Sequence, residues 1–322
     1  MAVAAELLER VAVGGLIEPP AALVAMLSGG RDSVCMLDLA VRHRGAEAVT
    51  ALHVDYGLRD DSDEDERFCA ELCARLGVVL EVERPRRPEG PGNLQAWARD
   101  SRYAAAAALA LPRGATIVTG HTADDQVETI LYRLASSPSR RALLGMRAHD
   151  GSLARPLLGT RREEITAYLE ERGIRWREDR SNQDPAFARN RIRHGLLPEL
   201  ERVHPAAAAN VLRTAELLRA EAELLDAAVD EALAAEPGGR NTIELERLAA
   251  LHPALRRLVV QRLADAAAGR PVAGAARHAE EVAGLRRTGV AMLDLGGGVR
   301  AVAERGVLRA ERPAPPPTGR SV

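Results

Sequence analysis

Two observations predict an α/β fold built on a parallel sheet. Short apolar runs at 22–27, 48–54, 78–82 and 115–119 alternate with helical stretches near 32–43, 62–76, 93–111 and 123–135. The first run also leads straight into Leu27-Ser28-Gly29-Gly30-Arg31-Asp32-Ser33, a turn that opens a helix. Parallel strands are joined by right-handed crossovers, so strands one, two and four are expected to share one carboxyl edge. Ser28-Gly29-Gly30, His53 to Asp55 and His121 to Asp125 would then converge although they lie far apart in the chain.

Taken in order, the opening stretch Ala2 to Val13 reads as a helix whose Glu6, Glu9 and Arg10 argue against a signal peptide. The acidic run Asp60, Asp61, Asp63, Glu64, Asp65 and Glu66 suits the positive start of the helix at 62–76. An amphipathic helix is expected from 161 to 173, closed by Gly173. A long helical stretch follows from Pro205 to Ala235, with Val211, Leu217, Leu218, Leu224 and Leu225 at helical spacing, and Pro237-Gly238-Gly239 interrupts it. Segments 252–268 and 274–286 read as helices, and 290–293 and 299–303 as short strands around Gly296-Gly297-Gly298. The expected division is a larger domain over 1–204, a helical linker over 205–236, a small α+β domain over 237–312 and a loose Pro-rich tail over 313–322.

Composition narrows the chemistry. None of the 44 cationic residues is lysine, so a Walker-type lysine on nucleotide phosphates, a Schiff base and a lysine general base are all excluded. Any handling of phosphate must use backbone amides, hydroxyls, arginine or metal. Aromatic residues make up only 2% of the 322, which leaves the core to aliphatic side chains and alanine. The net charge of −2 argues against indiscriminate nucleic-acid binding but leaves room for a local basic surface, and arginines do cluster from Arg172 to Arg193. Cys35, Cys69 and Cys73 match neither a disulfide framework nor a Cys-x-x-Cys site; Cys69 and Cys73 read as a buried pair on one helix face. No apolar run has transmembrane length, and a cytoplasmic location is the default.

Three clusters carry chemistry. In the first, Gly29 and Gly30 let the backbone approach an anion at a helix N-terminus, and Ser28 and Ser33 can donate to it. Asp32 would repel bare phosphate, so it suits Mg²⁺ or a helix cap. The second is Gly120-His121-Thr122-Ala123-Asp124-Asp125-Gln126-Val127-Glu128, where His121 can meet phosphate or a developing charge. Asp124, Asp125 and Glu128 suit Mg²⁺ or polar substrate groups, and a plain acidic helix start with a capping threonine or aspartate is the competing account. The third runs from Trp176 through Glu178, Asp179, Ser181 and Asn182 to Arg189-Asn190-Arg191-Ile192-Arg193. It reads either as a loop recognising a base or amino acid, with arginines on phosphate, or as a solvated capped loop.

With these residues the chain resembles the tRNA(Ile)-lysidine synthetase family, within the ATP pyrophosphatases that carry a Ser-Gly-Gly-x-Asp-Ser loop. The resemblance rests on Ser28 to Ser33, His53-Val54-Asp55, Ala98-Arg99 with Arg102-Tyr103, His121 with Asp124-Asp125-Gln126 and Glu128-Thr129, Arg155-Pro156-Leu157-Leu158, and Trp176 through Arg193. It implies an adenine nucleotide alpha hydrolase-like domain, then a helical linker and a small tRNA-binding domain. It also implies a two-step reaction with ATP and Mg²⁺, in which the wobble cytidine of a tRNA(Ile) with CAU anticodon is adenylated and free lysine then displaces AMP. By that resemblance Ser28, Gly29, Gly30, Arg31, Asp32 and Ser33 hold the nucleotide, and Asp32 and Asp125 the metal. Asp55, His121, Asp125 and Arg133 serve catalysis; Asp124, Glu128, Glu178, Asp179, Ser181, Asn182, Arg189, Asn190 and Arg193 serve the substrates. No membrane partner is implied, and a homodimer is left open.

The chain departs from the family's usual residues at four places. Tyr56 and Thr122 stand where histidine is common, Gln95 where glutamate is, and Ser136-Ser137-Pro138-Ser139 where Arg-Gly-Ser-Gly is. The last change removes a rigid cationic fork, for which Arg133, Arg140 and Arg141 are the candidate replacements. A ligase using another amine and an inactive tRNA-binding homologue are the alternatives these departures keep open.

Overall fold

The computed structural model describes residues 2–57, 62–88, 93–136, 140–178, 186–234 and 241–313, and divides the chain into two units, Met1–Glu216 and Leu217–Val322. In the first unit the elements run α1 (Ala2–Val13), β1 (Leu23–Met26), α2 (Arg31–Arg44), β2 (Val49–Val54), α3 (Ser62–Leu76), β3 (Val79–Glu83), α4 (Leu94–Ala110) and β4 (Thr116–Val118). They continue with α5 (Ala123–Ser136), α6 (Arg140–Leu143), β5 (His149–Asp150), β6 (Leu153–Ala154), α7 (Arg162–Glu171), α8 (Ala188–Arg191) and α9 (Leu197–Val203).

The sheet order is β3-β2-β1-β4-β6-β5. β1 lies between β2 and β4, parallel to both, with Leu23 paired to Val49 on one side and Thr116 on the other. All four residues of β1 are buried, which is why its sequence is continuously apolar rather than alternating. The chain first builds outward through β2 and β3, then returns to the other side of β1 with β4. The switch of direction therefore falls between β1 and β4, where open α/β sheets bind ligands at the strands' carboxyl ends.

Helices cover both faces. On one, α1, α2, α3 and α7 bury Leu7, Val11, Leu37, Leu72, Ile165 and Leu169 in a single cluster with Leu23 and Ala25 of β1. On the other, α4 sets Ala106 and Ala110 against Val24, Leu52 and Ile117, and these small residues let the helix sit close to the sheet. Tyr168 of α7 is fully buried and donates to the buried Asp38 carboxylate of α2, which Arg172 Nε also reaches at 3.2 Å. Arg172 thus leaves the basic run 172–193 for a structural partner. Cys69 and Cys73 are buried as the helical spacing predicts, and burial pushes their thiols up to about 12 and 11.

The division between units falls within α10 (Ala207–Ala234). Beyond it come β7 (Thr242–Glu244), α11 (Leu245–Ala250), α12 (Pro253–Ala268), α13 (Ala279–Ala283), β8 (Val290–Gly296), β9 (Val299–Glu304) and β10 (Val307–Glu311). Their sheet is antiparallel in the order β7-β10-β9-β8, with Ile243, Leu295, Ala301, Ala303 and Leu308 packed on α12 residues Val259, Val260 and Leu263. The helix predicted at 274–286 is shorter: a 3₁₀ turn over Ala275–His278 leads into the five-residue α13. Among the described residues no helix is long and apolar enough to cross a membrane.

Candidate active site

The phosphate-type turn closes on itself through its serines. Ser28 N–H donates to Ser33 Oγ at 3.2 Å, the two hydroxyls lie 3.1 Å apart, and Ser33 Oγ donates to the Gly30 carbonyl at 2.8 Å. Gly29 has φ +81°, a conformation that favours glycine, and a side chain there would also press on Phe68 of α3. Ser28, Gly29, Gly30 and Ser33 therefore form a preshaped rim of amides and hydroxyls at the start of α2. Arg31 turns aside, with Nε 3.3 Å from Asp32 Oδ1 and Nη1 donating to Thr166 of α7 at 3.2 Å.

Gly120 joins this turn to the second cluster. A Cβ on Gly120 would lie 2.6 Å from the Asp32 carbonyl oxygen and 2.9 Å from Ser33 N, so the end of β4 touches the first turn of α2. Immediately beyond it, α5 opens with a reciprocal cap. Thr122 N–H and hydroxyl donate to Asp125 Oδ2 at 3.0 and 3.2 Å, and Asp125 N–H donates to Thr122 Oγ1 at 3.2 Å. Thr122, one of the departures noted above, is fully buried in that role.

Arg162, at the first position of α7, ties the clusters together. Its Nη2 donates to Asp125 Oδ1 at 2.6 Å, its Nη1 to Glu128 Oε1 at 3.0 Å, and its Nε lies 3.6 Å from Asp32 Oδ2. Arg193 adds a fork on Glu128, at 2.7 and 3.2 Å, and approaches Asp125 at 3.8 Å. Burial alone would push Asp125 up, but Arg162, the Thr122 N–H and further positive neighbours more than offset it and hold its carboxyl below the usual range. Asp32 goes the other way, raised by burial and by the charge of Asp125. Asp124 accepts from the backbone N–H of Arg162 at 2.9 Å and pairs with Arg161 at 3.2 Å, so it anchors the start of α7.

His121 is held by a 2.7 Å hydrogen bond between Nδ1 and Thr119 Oγ1. Burial is the main reason its pKa falls to about 4, with Arg155, Arg102 and Arg99 lowering it further against the pull of Asp125. The ring is therefore neutral near pH 7 and a weaker base than a free imidazole. A stability consequence follows from linkage. Between pH 6.5, where a free histidine titrates, and about 4 the unfolded chain binds a proton that the folded one does not, so this group destabilises the fold as pH falls through that window. The ceiling is ~1.4 kcal/mol per pH unit for one proton. His121→Gln should flatten the fall of melting temperature between pH 6.5 and 4; an unchanged slope would show that His121 titrates normally.

The other predicted residues divide by location. Asp55 stands at the end of β2, where Oδ1 accepts from Gly57 N at 2.9 Å and Oδ2 lies 3.8 Å from Arg84; its partners are these and not His121 or Asp125. Arg133 donates to the Gly145 carbonyl at 2.7 Å, and Arg189 Nη2 reaches Thr129 Oγ1 at 3.4 Å. Glu178 is exposed and follows Arg177, whose N–H donates to the Gly29 carbonyl at 3.0 Å, so that strand-like step lies beside the turn. Arg177 itself pairs with Glu64 and Asp65, and Asn190 is buried. Asp179, Ser181 and Asn182 lie outside the described residues, as do Ser137 to Ser139.

Sequence inspection missed Arg162, and a signal for it existed. Arg161 and Arg162 sit where the helix dipole disfavours cations, and such a local conflict points to a partner supplied by the fold. Asp124, Asp125 and Glu128 are that partner.

A Gly-Ser turn opening a helix beside the switch point, opposite a histidine and an acidic helix start, defines a nucleotide-binding domain of the PP-loop class. A family profile described as PP-loop domain matches residues 4–200. The chain is 40% identical over 266 residues to the tRNA(Ile)-lysidine synthase of Thermus thermophilus, covering 80% of this chain and 51% of that one. It is 39% identical over 236 residues to the synthase of the same name from Mycolicibacterium paratuberculosis, covering 73% and 72%. The chain belongs to the tRNA(Ile)-lysidine synthase family, within the PP-loop ATP pyrophosphatases. It spans about half the length of several curated relatives it matches. Among solved structures, the U34-tRNA thiolase NcsA of Methanococcus maripaludis superposes with TM-score 0.57 at 16% identity over 67% of this chain and 79% of that one, a likeness of fold alone.

Proposed function

We propose that this chain joins free lysine to C2 of the wobble cytidine in tRNA(Ile) with a CAU anticodon, consuming ATP and releasing AMP and pyrophosphate. The observation that carries this reading is the meeting of the Ser28–Ser33 turn with His121 and Asp125 across Gly120. In the first step the cytidine O2 attacks the α-phosphorus of ATP and pyrophosphate leaves. Amides and hydroxyls of the turn oppose the charge that develops on the departing phosphates. In the second, the lysine ε-amine attacks C2, the C2–O2 bond breaks, and AMP carries the oxygen away. The amine loses a proton in that step, and we assign it to His121, where the charge of Asp125 offsets part of the basicity that burial removes.

We assign Mg²⁺ to Asp32 and Asp125, whose oxygens Arg162 contacts and would have to yield to the cation. Asp32 and Asp125 face one another closely enough for the charge of Asp125 to raise Asp32, and two carboxylates with nucleotide phosphates are an ordinary Mg²⁺ set. When bound there it would neutralise phosphate charge. Arg31 and Arg133 steady the turn and the α5 side of the site through their contacts with Thr166 and Gly145. Asp124 and Glu128 act by fixing the start of α7, Arg162 and Arg193. We assign Asp55 to the cytidine side, Glu178, Asp179, Ser181 and Asn182 to the amine or the RNA, and Arg189, Asn190 and Arg193 to RNA. In the same proposal 1–204 is the catalytic domain, 205–236 the linker and 237–312 the tRNA-binding domain of a cytoplasmic enzyme.

The test is incubation with ATP, Mg²⁺, isotope-labelled lysine and the CAU transcript, followed by mass analysis of the wobble nucleoside. The expected result is a lysine-dependent mass gain confined to that position. A gain with a different amine and none with lysine would favour the divergent ligase, and RNA binding without pyrophosphate release the inactive homologue.

A further inference from the structure

Arginines gather on the α4 side of the site. Arg99 and Arg102 lie one turn apart on α4, Arg133 is on α5, Arg155 follows β6 and Arg189 is on α8. Their charges act on shared neighbours: burial and the charges of Arg189, Arg99 and Arg155 pull Arg133 down, and Arg155, Arg102 and Arg99 act together on His121. Among the described residues, their hydrogen bonds run to neutral oxygens, those of Gly145, Arg147 and Thr129. Arg155 is only 6% exposed, and its Nε is buried with no partner among the described residues; so are Arg102 Nε and the Tyr103 hydroxyl. Folded proteins leave few buried donors unsatisfied, and buried charges are usually paired.

Aromatic rings stand on the same wall. Tyr56, at the end of β2, meets Trp97 of α4 edge to face with ring centroids 5.8 Å apart, and Arg102 is near enough to oppose the upward push of burial on the Tyr56 hydroxyl. The Arg99 guanidinium lies 4.8 Å from the centre of the Tyr103 ring. In a chain with two tryptophans and four tyrosines, one tryptophan and two tyrosines at one place is a marked concentration. Aromatic faces beside guanidinium groups are how proteins hold unpaired nucleotides, stacking the base and pairing the phosphate.

We propose that Tyr56, Trp97, Arg99 and Arg102, backed by Arg155, form a site for single-stranded RNA that takes the phosphodiester and base of a nucleotide adjoining the one that reacts. This rests on the tRNA reading above. Pyrophosphate from ATP shares the anion chemistry, but it has no use for aromatic faces, and the Ser28–Ser33 turn already offers it amides and hydroxyls.

The test uses the full chain carrying Trp176→Phe, which leaves Trp97 as the single tryptophan, and a seven-nucleotide RNA of anticodon-loop sequence without ATP. RNA is expected to quench Trp97 fluorescence. Adding Arg99→Gln and Arg102→Gln should weaken binding about tenfold or more and lower the salt slope by about two counterions. Affinity for a non-hydrolysable ATP analogue and for pyrophosphate should stay within about twofold, by the logic of separate sites. Arg99→Lys with Arg102→Lys, which keeps the charge, should restore the salt slope and control for folding. Unchanged RNA affinity in the glutamine variant, or loss of pyrophosphate affinity in its place, overturns the inference while leaving the tRNA reading intact. If the parent chain binds no RNA at all, both fall.

Discussion

Gly120→Ala is expected to reduce tRNA-dependent pyrophosphate release by at least about 100-fold, the scale set by misplacing reacting groups by an ångström. The added Cβ would sit 2.6 Å from the Asp32 carbonyl oxygen and 2.9 Å from Ser33 N, and both neighbours are backbone. No side chain can rotate away, so either the turn or the end of β4 must move. Overpacking of this kind costs about 1–3 kcal/mol, which a domain of this size can survive. The folded variant should therefore melt a few degrees lower yet bind ATP poorly. Wild-type rates from a folded Gly120→Ala protein would mean that the close approach of β4 to α2 plays no part in the chemistry.

Arg162→Ala is expected to lose both stability and activity. Its guanidinium serves Asp125, Glu128 and Asp32, and Glu128 is 1% exposed, so truncation leaves the buried Glu128 charge with Arg193 as its remaining ion-pair partner among the described residues. Breaking a buried ion pair costs about 3–5 kcal/mol, and the Arg193 fork should hold the loss near the lower end. The pH dependence gives a sharper signature. In the wild type Asp125 is held below its unfolded pKa of 3.8, so it adds stability above that value and loses it as pH falls through its folded pKa. Without Arg162, burial and mutual repulsion should raise these carboxyls, and the variant should gain relative stability as pH falls from about 6 toward about 4. Calorimetric melting across that range reads the difference, and parallel curves for the two proteins would show that Arg162 does not control these charges.

The parts of this site that follow a local rule were legible in the chain. β1 announced itself as an unbroken apolar run because a central parallel strand is buried on both faces, and the turn after it because glycine and serine are needed where a backbone cradles an anion. The convergence of Ser28–Ser33 with His121 and Asp125 followed from topology, since strand order decides which loops meet. What was not legible depended on partners distant in sequence. Arg162 lies 37 residues from Asp125, and neither the acidic start of α5 nor the basic start of α7 states alone that each neutralises the other. Asp124 read as a group for Mg²⁺ or a polar substrate, and nothing in the chain announced that its carboxylate also accepts from the backbone N–H that opens α7.

In the second unit the hidden elements were short strands. β10 alternates Leu308, 1% exposed, with half-exposed neighbours over five residues, too brief a pattern to separate from a loop. Arg305 and Gly306 make the turn that pairs Val307 with Glu304, both with positive φ, and β7 gains its place only by pairing with β10. The predicted helix at 274–286 failed for a related reason. Its composition is helical, but Gly274, with φ +79°, and Gly284 bound it, and the residues between them divide into a 3₁₀ turn and α13.

The central claim is that one site transfers AMP from ATP to an RNA base. It is tested most directly by supplying α-³²P-labelled ATP, Mg²⁺ and the CAU transcript without lysine, and asking whether the label enters the RNA. The expected result is labelled RNA formed together with pyrophosphate, followed by release of labelled AMP when lysine is added. Pyrophosphate release with no label ever in the RNA, in protein that binds the transcript, would contradict it.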